Sequence, residues 1–513
     1  MHMGAFRAGC RGGPPATLGG RAHVPHKLSG RRFSATYGGA LALQAMNAGR
    51  TSAKQRLLSL ALVPLAVSGA AGCVDAKHHG ARAQSAKSRG QVDAAAELQR
   101  MMARESGTFP KHRLQLFGGL VSGEYEASAA SKIECTPEGT EGDSSCELRL
   151  SLGQDADGDP NDILCLIDTT PRGPFGTVIA NRLQGGGLIE TPKLTVAKIG
   201  EGASVELVAN WMKQGEDVNT VGTLKVATYF SQGYSATCSD IRPGGRKTFD
   251  RVVGELFRSM KFAPNPKRPA FLTAAYDHRQ GDRSTGFRYS LVEKRISGKA
   301  GSAELDFGFH LKTDGKTWQT MDSSLLVTRD AAGNVDLYRH AISGGNGQTH
   351  AVLTAKPGED RKFRLKVERG DKTDALESTP KAPLTTELWS AAEFAKVARG
   401  ARPSYRYAIL GLDDSGEPEF KYLSITRSSA SVLLEEEESA AKNDKSLTGA
   451  LKDELHVSTD GSVAKEVGTD SVSQRIFAWG KLPDATGVAA APLDTKDTAT
   501  AGGARAKGKG KSR

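Results

Sequence analysis

Hydrophobic and polar positions alternate with a period of two in several separated stretches of the chain, the pattern of a strand with one face against a core. Cys146, Leu148, Leu150 and Leu152 oppose Glu147, Arg149 and Ser151, and the pattern returns at Val205, Leu207, Ala209 and Trp211. Farther on, Ala303, Leu305, Phe307, Phe309 and Leu311 oppose Glu304, Asp306, His310 and Lys312, and Phe363, Leu365 and Val367 oppose Arg364, Lys366 and Glu368. The period changes to three-four at Phe249, Val252, Val253, Leu256, Phe257 and Met260, with Arg251, Glu255 and Arg258 opposite, which predicts an amphipathic helix. A second helix is predicted over residues 384–398, with Leu388, Ala391 and Phe394 or Ala395 on its buried side. Turn signals at Asp314-Gly315, Gly333-Asn334, Asn346-Gly347, Asp413 to Gly416 and Asp460-Gly461 place hairpins between successive strands.

These elements divide the chain. Residues 1–72 are a signal region with Met46 the expected start, and 73–106 a tether carrying His78-His79 and a helical stretch at 93–104. Residues 107–262 are an α+β unit in which an antiparallel sheet is closed by a C-terminal packing helix. A proline-rich linker at 263–269 leads to a mainly β unit at 270–483, a curved antiparallel sheet or half-barrel with one helical insertion. Residues 484–513 form a tail rich in Ala, Gly, Thr and Lys, expected to lack a core.

Charge changes the picture once it is located. The formal charge is +11, but residues 1–72 carry nine Lys/Arg and no acidic residue, and the tail adds a net +3, which leaves the body at −1. Nucleic-acid binding needs a concentrated basic surface, so that class is set aside. Six cysteines divide as usefully: Cys10 and Cys73 precede the body, and Cys135, Cys146, Cys165 and Cys238 remain as an even set. In an exported chain that set reads as two disulfides. Cys135 and Cys146 flank a turn-rich segment and suit a local bridge, which leaves Cys165 with Cys238. A zinc site would want Cys-x-x-Cys or a Cys/His knuckle, and neither is present.

Export is read from Arg50, Lys54 and Arg56, the apolar run from Leu57 to Val67, and Ser68-Gly69-Ala70-Ala71-Gly72-Cys73. This layout resembles the bacterial lipoprotein signal, with Ala70 standing where that family usually has Leu. The resemblance implies cleavage before Cys73, lipid on its sulfur, and a membrane partner reached through that anchor. It implies a cell-envelope location, with the outer membrane favoured. The run is too short to span a bilayer, which takes about 20 residues. An ordinary cleaved signal and an organellar transit peptide are the competing uses of the segment.

The end of the first unit, Tyr234 to Cys238, a polar turn, the amphipathic helix and Ser259-Met260-Lys261-Phe262, looks like the close of PsbP-like domains. The order of many strands, a helix, then more strands is similar to the LolA and LolB-like carrier fold. That resemblance implies an apolar cavity lined by strands such as 303–311 and 363–367, holding an apolar ligand or serving an envelope partner. A solid-core β unit is the alternative.

Catalytic motifs are absent from the sequence. Asp155, Asp157 and Asp159 resemble the start of a calcium loop, but Pro160 and Leu166 stand where an EF-hand needs Gly and Glu. Ser439-Ala440-Ala441-Lys442 lacks its companion Lys-Thr-Gly, and Gly315-Lys316-Thr317 lacks the start of a phosphate loop. His310, His340, His350 and His456 have no metal-ligand spacing. The expectation is a lipid-anchored binding or scaffold module without catalytic residues or cofactor, against an envelope hydrolase or a non-lipidated structural protein.

Overall fold

The computed structural model describes residues 81–82 and 103–482, with breaks at 137–142, 155–159, 172–174, 184–186, 214–219, 296–299, 314–317, 345–348, 360–361, 413–416, 429–431 and 438–451. Cys73, His78-His79, most of 93–104, Asp155, Asp157 and Asp159, Gly315-Lys316-Thr317, Ser439 to Lys442 and the tail lie outside the described residues.

In the first unit, β1 (Ser145–Gln154), β2 (Pro160–Asp168), β3 (Lys193–Ile199), β4 (Gly202–Lys213), β5 (Thr220–Ser231) and β6 (Tyr234–Asp240) pair antiparallel in the order β1-β2-β6-β5-β4-β3. Helix α1 spans Phe175–Leu183 and α2 spans Arg246–Ser259. One sheet face, including Leu148, Leu150, Cys165, Ile167, Tyr229 and Cys238, shares a core with Phe249, Val252, Val253, Leu256 and Phe257 of α2. Each such side chain contributes about 1.5–3 kcal/mol on burial, so the apolar stripe fixes which way α2 faces. Its first turn leaves backbone N–H groups without helical partners. Glu105 accepts from those of Lys247 (3.0 Å) and Thr248 (2.8 Å). Disulfides join Cys135 to Cys146 and Cys165 to Cys238, in each case across neighbouring strands of this sheet.

The second unit is a meander of β7 (Ala270–Gln280), β8 (Arg283–Lys294), β9 (Ser302–Thr313), β10 (Trp318–Arg329), β11 (Val335–Gly344), β12 (Thr349–Pro357), β13 (Phe363–Arg369), β14 (Lys372–Ser378), β15 (Ser404–Leu412), β16 (Pro418–Arg427), β17 (Val432–Glu437), β18 (Lys452–Val457), β19 (Val463–Val467) and β20 (Val472–Gly480). The last strand, β20, pairs with the first, β7, so two arms of antiparallel strands extend from the middle of one curved sheet. The arms curl until β10 to β13 share a core with β15 and β16 through Tyr338, Leu353, Leu365, Val367, Leu410 and Phe420. The sheet does not close into a barrel. A strap, residues 382–390, lies along β15, where Ala408 N–H donates to Pro383 O (2.9 Å) and Thr385 N–H to Ala408 O (3.0 Å).

The predicted helix over 384–398 is shorter in the structure, where α3 spans Ala391–Ala398. Pro383 and Thr385 spend their backbone hydrogen bonds on Ala408 of β15, and residues 386–390 form a turn in which Ser390 N–H donates to Thr386 O and Glu387 O before the helix begins. Phe394 and Val397 of α3 pack on Tyr407, Ile425, Val432, Leu455 and Val463, filling one end of the concave face.

Both faces of the first sheet are buried, because the second unit covers the one that α2 does not. Val205, Leu207, Trp211, Leu224, Val226 and Phe230 share a core with Phe287, Tyr289, Leu291, Phe309 and Phe477. Phe175 of α1 stands edge-on to Phe287 and Phe309, with centroids 5.6 and 5.2 Å away, and Phe230 stacks on Tyr289 at 4.5 Å. The segment 263–269 is pinned between the units. Buried Asn265 accepts from the N–H groups of Lys267 and Arg268, and the Arg268 guanidinium pairs with Glu293 of β8.

Candidate binding site

Strand β9 reverses the expected sense of its two faces. Phe309, expected to line a cavity, is 0% exposed on the convex side against the first unit, where Phe307 and Leu305 accompany it. Glu304 and Asp306, on the polar side of the pattern, point into the concave face instead. Because the first unit buries the convex side, both sides of β9 are enclosed, and alternation alone does not say which side the sheet wraps around.

Cross-strand register carries this polar side around the sheet. Tyr276 of β7 is opposite Arg288 of β8, Ser290 is opposite Asp306, and Glu304 is opposite Val327 of β10. The Arg288 guanidinium lies 4.3 Å from the Tyr276 ring centre and donates to Glu387 of the strap at 2.9 Å. Thr386 donates to Glu304 Oε2 at 2.7 Å, and Arg329 donates to Thr385 at 3.3 Å while lying over the Trp389 ring at 4.9 Å. The strap therefore supplies a further wall of a cluster whose other walls are β7 to β10.

This cluster is incompletely partnered. Glu304 is 1% exposed, yet its Oε1 has no hydrogen-bond partner, and the same holds for Asp306 Oδ1, Arg288 Nε, Arg329 Nε and Trp389 Nε1. Buried polar atoms are nearly always satisfied by protein, water or ligand. Arg288 and Glu387 keep 27% and 24% of their side-chain surface accessible, so solvent reaches this pair. The surface that solvent reaches here is charged.

Electrostatics follow from burial and crowding. Burial, then the Asp306 charge, pushes Glu304 up to about 8, against the pull of Thr386, Arg329 and Arg288. Asp306 is raised by burial, opposed by Arg288. Glu466 of β19 is pushed up to about 7 by burial and then by Glu387. Burial works against the charge on Arg288, but Glu387, Tyr276 and Asp306 more than offset it and hold the guanidinium protonated.

Among the described residues the histidines form no metal set. His278 and His310 face each other with ring centres 5.1 Å apart, and burial, then His310 and Arg288, push His278 down to about 3. His340 is lowered by burial, and His456 lies 3.8 Å from Glu454 on a partly exposed strand. Among the described residues no three His, Cys, Asp or Glu side chains are placed to hold one metal ion.

Sequence reading missed Arg288, Glu304, Asp306, Glu387 and Glu466, since each looks like an ordinary solvent-facing charge. One signal was present in the glycines on the same sides of β8 and β9. At Gly308 a Cβ would meet Ser323 Oγ at 2.5 Å, and at Gly286 it would meet the Phe309 carbonyl at 2.6 Å. A solvated strand face has no such crowding, so glycines among charges mark an enclosed polar side.

No family model matches the chain, and no curated protein matches it. Among solved structures it is similar to a β-barrel-like protein of the domain of unknown function DUF1849 from Brucella abortus, at 13% identity and a TM-score of 0.30, over 41% of this chain and 97% of that one. A DUF1089 family protein from Pseudomonas aeruginosa matches at 14% identity and a TM-score of 0.18, over 37% of this chain and 87% of that one. Nothing is transferred from either protein to this chain.

Proposed function

We propose that the protein is an exported, non-catalytic binding module, held at the cell envelope by lipid on Cys73, with its ligand in the concave face of the second sheet. The observation that carries this reading is the set of buried, partnerless polar atoms around the accessible Arg288–Glu387 pair. A structural ionic cluster is completed by the protein itself, whereas a binding site is completed by its ligand. Charged walls favour a polar ligand over the apolar one that a lipoprotein-carrier architecture implies. Two disulfides support an oxidising location, and the basic, apolar, small-residue layout before Cys73 supports the anchor and, through it, the outer membrane.

Native mass spectrometry of the protein purified in non-ionic detergent is expected to find a polar small molecule on the wild type and not on Glu387→Ala, which breaks the accessible Arg288–Glu387 pair. A non-covalently retained acyl ligand, distinct from the covalent lipid on Cys73, or a wild type free of any ligand, would overturn the reading. Fatty-acid labelling is expected to mark the wild type and leave Cys73→Ala unmarked, and equal labelling refutes the anchor. A second reading rests on Glu304, because an acid that keeps its proton near neutral pH is what general-acid catalysis needs. Turnover of a glycoside or ester that Glu304→Gln abolishes would select an envelope hydrolase.

A further inference from the structure

Carboxyl groups, those of Glu304, Asp306, Glu387 and Glu466, outnumber the guanidinium groups of Arg288 and Arg329 in the concave cluster. Resting on the binding reading above, we infer that the ligand is a small organic cation with more than one ammonium group, of the aliphatic polyamine class, held by Glu304, Asp306 and Glu466. Glu304 and Asp306 stand two positions apart on the same side of β9, and each presents an oxygen without a partner. Glu466 enters from β19 on the other arm of the sheet, and Glu387 from the strap between them. Arg288 over Tyr276 and Arg329 over Trp389 show that ring faces here already receive cations, an attraction available to an ammonium group as well.

The spacing of the acceptors narrows the class. Among the described residues no group of three carboxyls is placed to hold one metal ion. Separated acceptors suit a ligand whose charges are separated along a flexible chain. An anion would meet Arg288 and Arg329, but also the larger number of carboxyls that surround them.

Proton exchange gives the proposal its signature. Glu304 is faced by Asp306 on its own strand, by Arg288, Arg329 and Tyr338 from β8, β10 and β11, and by Thr386 from the strap. Glu466 is faced by Glu387, Arg288, Asp453 and Tyr407. Burial and the neighbouring carboxyls keep protons on Glu304 and Glu466 near neutral pH. An arriving ammonium group takes the place of such a proton, which leaves for solvent.

The test is calorimetric titration of the full-length protein in non-ionic detergent with spermidine as the probe. Affinity is expected to rise with pH between 6 and 8, by up to about tenfold per unit for each proton displaced, and the heat to vary with the ionisation enthalpy of the buffer. Glu304→Gln is expected to weaken binding about tenfold and flatten the pH dependence, because the amide cannot take a charge. Glu377→Gln on exposed β14 should bind as the wild type does. Binding that is independent of pH, or equally weakened by Glu377→Gln, overturns the inference. No spermidine binding by a protein that retains another polar ligand overturns the ligand class alone, whereas no binding and no retained ligand of any kind overturns the binding reading with it.

Discussion

Two buried ionic clusters, one in each unit, are built to opposite standards. In the first unit Lys225 is 0% exposed, and its ammonium group reaches Arg242 O at 2.8 Å, Gly244 O at 2.6 Å and Asp240 Oδ2 at 3.2 Å. Arg242 grips Asp240 with two further bonds of 2.9 and 3.0 Å. Burial pushes the Asp240 carboxyl up, but Lys225 and Arg242 pull it well below the usual range. Every ammonium proton has an acceptor, and the carboxylate is secure. In the second unit the corresponding charges are left with open valences, and its acids are pushed up instead of down. A closed cluster holds a fold together, and an open one is available to something else.

The comparison is broken most forcefully at Asp240. Asp240→Asn leaves the Lys225 charge buried without its counter-ion, and a loss of about 3–5 kcal/mol is expected in chemical denaturation. A loss under about 1 kcal/mol would mean that the first cluster is no more structural than the second.

Asp322 of β10 sits between these cases. It is 1% exposed at the junction of the units, and its Oδ2 accepts from Gly176 N–H of α1 at 2.8 Å. Burial pushes it up from 3.8 to about 7. The folded state therefore binds the extra proton between those values, so stability falls as pH rises from about 4 to about 7 and then levels off. Asp322→Asn is expected to remove that fall and to raise stability at pH 8 by roughly 1–3 kcal/mol. A parallel pH profile in the variant would contradict the assignment.

The smallest effect is expected at Glu304. Glu304→Gln replaces an acid already protonated at neutral pH with an amide of the same shape, so thermal denaturation at pH 7 should change by less than about 1 kcal/mol. A cost as large as that at Asp240 would make the concave cluster structural.

How much of this was legible depended on the kind of pattern. Strands at 146–152, 205–211 and 363–367 and helix α2 follow from alternation and three-four spacing, because each has one face against a core and the other marked by polar residues. Helix α3 was legible at Phe394 and Ala395, but its start was not, since the strap's pairing with β15 is a contact with residues distant in sequence. Strand β9 was legible as a strand and misleading as to orientation. Leu305, Phe307 and Phe309 announce a buried side, but no local feature says that a second unit, and not the curl of the sheet, does the burying. The site was hidden for the same reason, since Arg288, Glu387 and Glu466 meet only across the curl of the sheet.

The pairing of β20 with β7 sets a condition on how the chain can fold. Leu272 and Gly480, neighbours in the sheet, are about two hundred residues apart in sequence. Hairpins along each arm can zip from local turns, but the seam that joins the arms forms only after the whole second unit has emerged. Closing so long a loop first is an entropic barrier, and such non-local sheets fold slowly. If the chain is exported in extended form, as the proposed signal would have it, delay is an advantage: the strand that completes the sheet is the last to be delivered, so the unit stays unfinished until nearly all of it has crossed.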